Sequence, residues 1–159
     1  MAGGKQVMLL AIDDSEHSFY ALKWTLDHFF TPTSNALFKL VIVHAKYPPT
    51  SVIGLAGPGS TDVLPLVEAD LKRTAERLIE QAKELCKEKG VEDAEFEVIE
   101  GDARMVMCDA VDKHHASLLV LGSHGYGALK RVVLGSVSDH CSHHAHCSVM
   151  IVKQPKVHH

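Results

Sequence analysis

Five short apolar runs separated by segments of helical periodicity most constrain what this chain can fold into. Such runs are typical of buried or half-buried strands. Strands that alternate with helices predict an α/β fold, a parallel sheet with helices on both faces. For five strands we expect the flavodoxin-like order 3-2-1-4-5, with a crevice outside the carboxyl ends of strands 1 and 4. The predicted strands are residues 5–12, 38–45, 94–100, 118–121 and 148–152.

Helical segments fill the intervals between these strands. Asp14 or Ser15 is expected to cap the first helix, which continues to Phe30 and is ended by Pro32. A long loop, 46–61, precedes a second helix that opens near Thr61. Later helices are predicted at 103–115, 128–134 and 136–145. The second helix has an apolar stripe and ends at Gly90; the stripe is Leu71, Ala75, Leu78, Ala82 and Leu85.

Length and charge narrow the class of protein. The 159 residues predict a single domain, with a core at about 5–153 and a C-terminal tail at 154–159. A net charge of -4 argues against a nucleic-acid partner, and no apolar run reaches the length of a membrane span. The N-terminus lacks the pattern of a signal peptide, so we expect a cytoplasmic or nucleocytoplasmic protein with no membrane partner. The four cysteines lack framework spacing and are expected to be reduced.

A glycine-rich segment follows the fourth strand. Gly122, Gly125, Gly135 and Ser136 form the pattern G-x2-G-x9-G-S. Glycines let backbone amides approach an anion closely, and the amides that open a helix favour negative charge. The alternative is a turn that only joins strand to helix. The segment matches neither a P-loop nor a Rossmann fingerprint.

Asp13, which directly follows the first strand, has two interpretations. It can cap the first helix, or it can serve a ligand while Asp14 or Ser15 caps the helix. Because Gly122 ends the fourth strand, Asp13 and the glycine segment are expected to converge at the same crevice. This convergence favours a ligand site.

At these residues the sequence resembles the universal stress protein family, in its ATP-binding class, and is similar to plant single-domain members. The likeness covers nearly the whole chain and includes VIVHA at 41–45, LGSHGYG at 121–127, LGSVSDH at 134–140 and HAHCSVMIV at 144–152. It implies an adenine nucleotide alpha hydrolase-like fold that binds ATP or AMP, with Mg²⁺ as an ion that bridges the phosphates.

The resemblance also implies a role for individual residues. Ile12 and Asp13 would meet the nucleotide, with Asp13 on the ribose hydroxyls, and the backbone of Ala45 would meet the adenine. Phosphates and ribose would be bound mainly through backbone amides and the Ser136 hydroxyl, by Leu121, Gly122, Gly125, Gly135, Ser136 and Val137.

The family commonly forms homodimers through its last strand, here Val149, Met150, Ile151 and Val152.

The sequence and this resemblance together suggest three functions. The first is a homodimeric switch in the stress response that binds an adenine nucleotide. The second is a slow ATPase or phosphotransferase. No nucleophile is evident, and Asp13 and Asp102 are the only candidate metal carboxylates, so we expect at most weak hydrolysis. The third is a chaperone-like scaffold with pH- or redox-dependent oligomerisation.

The last helix carries many metal-ligand side chains. His140 with His144, and His143 with Cys147, lie one helical turn apart and suit zinc or copper. The segment must also present a face to the core, for which we expect Cys141 and Ala145. We therefore predict no physiological metal.

Three other positions remain open. Lys130 and Arg131 can reach a terminal phosphate or face water, and His124 is interpreted as a loop contact or a minor phosphate ligand. Replacing Gly122 by Val together with Gly135 by Ala is expected to abolish binding and leave the fold intact.

Overall fold

The computed structural model describes residues 4–31, 37–49, 63–123 and 135–155. Its centre is a five-stranded sheet in the order β3-β2-β1-β4-β5. All neighbouring strands are parallel, which confirms the predicted α/β fold and strand order. The strands are β1 Gln6–Ile12, β2 Phe38–Lys46, β3 Glu95–Glu100, β4 Leu118–Gly122 and β5 Ser148–Val152.

Four helices of the described chain cover the two faces of the sheet. They are α1 Glu16–Phe29, α2 Leu64–Glu88, α3 Ala103–His114 and α4 Ser136–His144. Side chains alternate along each strand, so β1 feeds two cores: Met8 and Leu10 pack with α1 and α2, and Leu9 packs with α3 and α4. The sheet thereby holds both helical layers in fixed positions around its carboxyl edge.

The helix boundaries follow from their caps. Ser15 caps α1 by accepting a hydrogen bond from the Ser18 amide at 3.2 Å, as predicted. The helix ends at Phe29, one residue before the predicted end, and Phe30 bonds back to the Leu26 carbonyl. His115 adopts the left-handed conformation, with φ of 51°, so α3 also ends one residue early. Similarly, α4 ends at His144 rather than at residue 145.

The second helix begins later than expected, at Leu64, with Pro65 in its first turn. Thr61, the predicted start, and residues 50–61 of the predicted loop lie outside the described residues. So do Pro32 and the predicted short helix at 128–134. Gly90, with φ of +75°, ends α2 as predicted.

The apolar stripe of α2 is partly confirmed. Ala75, Leu78 and Ala82 are buried, as is Cys86, which the stripe did not include. Leu71 and Leu85 are only half-buried, although Leu85 packs against the core. Cys86 lies one turn beyond Ala82, so the buried face continues along that row rather than through Leu85.

Two edges bound the sheet, β3 and β5. Side chains of β3 are exposed or half-buried throughout, as the alternating sequence predicts for an edge strand. Within the described ranges, no helix has the length and apolar character needed to cross a membrane. All four cysteines are free thiols.

Candidate functional site

The candidate site lies at the carboxyl edge of the sheet, where β1 and β4 are neighbours. After β1 the chain continues to β2 and β3 on one side of the sheet, and after β4 it continues to β5 on the other side. The connections that leave β1 and β4 therefore run in opposite directions. Asp13 follows β1 directly and Gly122 is the last residue of β4. The structure therefore brings the two predicted parts of the site to one switch point.

Asp13 is half-buried and is held by the first turn of α1. The Ser15 hydroxyl donates a short hydrogen bond to Asp13 Oδ1. Ser15 also caps the helix, so a single side chain fills both roles. Asp13 is therefore not the helix cap, and its carboxylate is tied to the residue that is.

Ser18 fixes the backbone at Asp13. Its hydroxyl accepts from the Asp13 amide at 3.0 Å and donates to the Asp13 carbonyl at 2.9 Å. Ser18 is 5% exposed, so these bonds are shielded from water. Ser18 was not among the predicted site residues, although the spacing Ser15-x-x-Ser18 at a helix start was a usable signal.

Gly122 lies against the backbone of α1. A Cβ added at this position would be 2.8 Å from the carbonyl oxygen of His17 and 3.1 Å from the amide nitrogen of Ser18. Only glycine fits this contact without displacing the helix or the strand. The predicted double substitution with Val at 122 would therefore disturb the fold, which corrects the expectation that the fold would remain intact.

The start of α4 is tied to the end of β4 by backbone and hydroxyl bonds. The Gly135 amide donates to the Ser123 carbonyl at 2.8 Å, and the Ser138 hydroxyl donates to the Gly122 carbonyl at 2.6 Å. The Gly135 amide thus has a protein acceptor in this conformation. Ser136 and Val137 follow as the first two residues of the helix, and no side chain among the described residues caps them. Their amides are the ones placed for an anion.

Three further predicted site residues are mostly buried. Ile12, Ala45 and Leu121 are 2%, 8% and 3% exposed and pack in the two cores. Any contact they make with a ligand would therefore be through the backbone at the strand ends. Gly125, His124, Lys130 and Arg131 lie outside the described residues.

His44 joins the ends of β1 and β2. Its Nδ1 lies 3.0 Å from the Ile12 carbonyl oxygen, so Nδ1 carries the proton and donates. The side chain is buried at the residue that precedes Ala45. A histidine that interrupts an otherwise apolar strand was the available sequence signal for this bond.

A second group, of which the sequence indicated only Asp102, flanks the ends of β2 and β3. The Gly101 amide donates to the Lys46 carbonyl at 2.9 Å, which places Tyr47 beside the start of α3. Asp102 caps α3 and accepts two bonds from the Arg104 guanidinium, at 3.0 and 3.1 Å. These bonds lower the pKa of Asp102.

The pKa of the Tyr47 phenol is affected by partial burial and by two acidic groups near this edge of the sheet, Asp102 and Asp13. Partial burial raises the pKa of its phenol, and the nearby carboxylates of Asp102 and Asp13 raise it further, whereas Arg104 lowers it. Tyr47 is 45% exposed, the highest value among the phenylalanine, tyrosine and tryptophan residues in the described part of the chain. A partly exposed aromatic residue therefore follows β2 at the carboxyl edge of the sheet, within electrostatic reach of Asp102 and Asp13.

The histidine-rich helix has the expected core face. Cys141 is fully buried, and Ala145 packs against the core formed by α3 and α4. The His140 and His144 rings lie 4.4 Å apart between centroids. Among the described residues, no three histidine, cysteine or acidic side chains are grouped to hold a metal ion.

Comparison with known proteins identifies the family that has this architecture. The model of the "Universal stress protein family" matches residues 5–153. Universal stress protein PHOS34 of Arabidopsis thaliana is 32% identical over 173 residues, covering 97% of this chain and 64% of that protein. The chain thus spans less than two thirds of the length of this relative.

Two solved structures are similar. Universal stress protein UspA from Lactobacillus plantarum has a TM-score of 0.75 at 16% identity, covering 94% of this chain and 99% of that chain. A universal stress protein family protein from Arabidopsis thaliana, solved with AMP bound, has a TM-score of 0.66 at 25% identity. It covers 94% of this chain and 92% of that chain.

The fold and the site define a doubly wound α/β protein with a crevice between β1 and β4 at the carboxyl edge of its sheet. The chain belongs to the universal stress protein family.

Proposed function

We propose that this protein is an adenine-nucleotide-binding regulator of the stress response, with AMP or ATP in the crevice between β1 and β4. One observation carries the proposal: the carboxylate of Asp13 and the uncapped amides of Ser136 and Val137 are positioned from the two strands of one switch point. A carboxylate accepts hydrogen bonds from a ribose diol, and amides at a helix start bind phosphate.

The arrangement around these residues supports the proposal. Ala45 is the penultimate residue of β2, the strand beside β1, and we expect the base to lie against its backbone. The family member from Arabidopsis with AMP bound shares 25% of its sequence with this chain. Mg²⁺ would bridge the phosphates when ATP is the ligand, and hydrolysis is expected to be weak because no oriented nucleophile is evident.

The first test is calorimetric titration of nucleotide-free protein with AMP and with ATP, each with and without Mg²⁺. We expect saturable binding that Asp13→Ala weakens by roughly ten- to a hundredfold, the effect of losing hydrogen bonds to a charged group. Asp14→Ala is the matched control, since the Asp14 carboxylate is paired with Arg77 at 3.1 Å. Absence of binding by the wild-type protein would refute the proposed function.

A second test addresses the phosphate end. Ser136 is the first residue of α4, where proline is tolerated, and Gly135 before it has φ of -61° and ψ of 159°, which suits a residue preceding proline. Ser136→Pro removes the amide hydrogen and the hydroxyl, whereas Ser136→Ala removes only the hydroxyl. We expect the proline variant to bind ATP more weakly than the alanine variant. Equal affinities would exclude the Ser136 amide as a phosphate ligand.

We further propose a homodimer formed by edge-to-edge pairing of β5. This strand is an edge of the sheet, and Val149, Met150 and Ile151 are only half-buried. An apolar edge left open would favour uncontrolled association.

The backbone direction gives a selective test of this pairing. The Val152 carbonyl accepts from Ser123 at 3.1 Å, so it faces β4. Backbone groups alternate sides along a strand, so the Ile151 amide faces the open edge. Ile151→Pro should remove that outward donor, keep the bonds to β4 and yield monomers by light scattering. A dimer that persists in a folded Ile151→Pro protein would contradict pairing through β5.

A further inference from the structure

We propose that Ser15 is a positioning residue of the nucleotide site, whose hydroxyl holds the Asp13 carboxylate in the orientation that binds the ribose diol. The inference rests on the proposed function and adds a residue to its machinery. It assigns Ser15 a role in ligand selectivity as well as in starting a helix. Five hydrogen bonds within the segment 13–18, and the direction of each, support it.

The hydrogen-bond directions are fixed by the chemistry of the groups. The Ser15 oxygen accepts from the Ser18 amide, which can only donate. A hydroxyl has one hydrogen, and that of Ser15 is directed at Asp13 Oδ1. Ser15 is therefore a donor to the carboxylate and an acceptor from the helix at the same time.

The backbone on which Asp13 stands is equally constrained. The Ser18 hydroxyl accepts from the Asp13 amide, and its one hydrogen is shared between the carbonyl oxygens of Asp13 at 2.9 Å and Ser15 at 3.2 Å. The bond from the Ser15 hydroxyl restricts rotation of the Asp13 side chain. A carboxylate has roughly four acceptor positions on its two oxygens, so one bond from Ser15 is compatible with acceptance from two ribose hydroxyls.

Neighbouring acidic groups do not replace this arrangement. Asp14 is paired with Arg77 across the gap between α1 and α2, and both side chains are about half exposed. Glu16 is exposed in the first turn of α1. Preorganising one carboxylate lowers the entropic cost of binding, so the loss of Ser15 should weaken binding even though Ser15 does not contact the ligand.

The test must separate the cap from the positioning role. Ser15→Ala removes both, Ser15→Asp keeps a good cap but cannot donate to Asp13, and Ser15→Thr keeps both. Each protein is titrated calorimetrically with AMP and with 2′,3′-dideoxyadenosine monophosphate, which lacks the ribose hydroxyls. Stability is followed by urea unfolding, using fluorescence of the single tryptophan, Trp24.

The expected readout is the ratio of the two dissociation constants. Wild-type protein and Ser15→Thr should prefer AMP over the dideoxy ligand by tenfold or more. In Ser15→Ala and Ser15→Asp this preference should fall to less than threefold, although only Ser15→Ala loses stability. Asp14→Asn serves as the charge control and should leave the preference unchanged.

Three other outcomes would contradict, in turn, the role of Ser15, the role of Asp13 and the binding of AMP. If Ser15→Ala and Ser15→Asp keep the wild-type preference while Asp13→Ala loses it, Ser15 has no positioning role and the nucleotide site stands. If Asp13→Ala also keeps the preference, the ribose role of Asp13 fails, and the role of Ser15 fails with it. If wild-type protein does not bind AMP, both the proposed function and this inference are overturned.

Discussion

At the scale of single residues, the closest approach in the site joins Gly122 to the backbone of α1. We expect Gly122→Ala to destabilise the protein by about 1–3 kcal/mol, because the new methyl group would overlap a carbonyl oxygen that cannot move independently. Urea unfolding measures the change. The control is Gly90→Asn, at a position with nothing within 4 Å of the added Cβ and a left-handed φ that Asn tolerates. Equal stability of Gly122→Ala and wild type would contradict the contact.

The cysteines allow a second prediction for single residues. Burial raises the pKa of Cys86 to about 11 and that of Cys141 to about 12. Burial also raises the pKa of Cys108 and Cys147, which are half-buried. At pH 8 we expect the native protein to leave Cys86 and Cys141 unmodified by Ellman's reagent and to react slowly at the other two. Rapid native-state reaction of Cys141 would be inconsistent with its burial.

The same thiols affect stability at high pH. Their pKa values are raised in the folded state, so their contribution to stability is complete below the unfolded value of about 9. It is lost as the pH rises toward 11–12, because the unfolded chain ionises first. The urea midpoint should therefore fall above pH 9, and Cys86→Ser should reduce that dependence.

Individual residues also show which features of the site could be predicted from the sequence and which could not. The position of Asp13 followed from its place after a buried strand. Its bond to Ser15 did not, because a serine at a helix start is fully explained by capping. The requirement for glycine at 122 was attributed to a ligand, whereas the structure gives a packing reason that depends on the distance between β4 and α1.

At the scale of elements, α3 offers a matched pair of variants. Asp102 caps this helix and accepts from the Arg104 amide at 2.9 Å. We expect Asp102→Ala to lower the stability by about 1 kcal/mol, since a typical N-cap is lost. Asp102→Asn retains the cap and should lose less stability than Asp102→Ala. The stability that Asp102→Asn does lose measures the contribution of the ion pair with Arg104.

The pH dependence of this cap has a defined sign. Because the pKa of Asp102 is lowered in the fold, its contribution is present above the unfolded value of 3.8 and disappears as the pH falls below it. Thermal unfolding at pH 7 and pH 3 should show the wild-type advantage over Asp102→Ala shrinking at the lower pH. An advantage that is unchanged at pH 3 would indicate that the carboxylate charge plays no part.

Elements were predicted best where local signals agree. Caps at Ser15 and Gly90 located the start of α1 and the end of α2. The start of α2 was misplaced because Thr61 and Asp62 look like capping residues, whereas the helix begins after Val63, whose side chain makes no capping bond. Local propensity could not reveal that start.

At the scale of the whole molecule, we expect acidification to change the net charge of the protein and to leave its oligomeric state unchanged. Protonation of all twelve histidines would raise the net charge of -4 by twelve, to +8. The strand proposed for dimerisation, Ser148–Val152, contains no titratable side chain. We therefore expect light scattering to give the same dimer mass at pH 8 and pH 5.5. A change in mass would instead favour the chaperone-like scaffold that assembles with pH.

The strand order was predictable because right-handed crossovers leave few arrangements for five alternating strands. The ties between elements at the carboxyl edge were not, since the bonds from His44 to Ile12 and from Gly135 to Ser123 join residues distant in sequence. Such bonds depend on the assembled sheet, which no local pattern encodes.

The contact between Gly122 and His17 has an optical consequence. The helix that meets β4 at His17 begins at Ser15 and carries Trp24, whose ring stacks on His28 with centroids 4.1 Å apart. A ligand that shifts the end of β4 must move this helix, and the indole emission should then change without any added label. If a nucleotide binds in the crevice as proposed, a change in Trp24 emission on titration would report its occupancy.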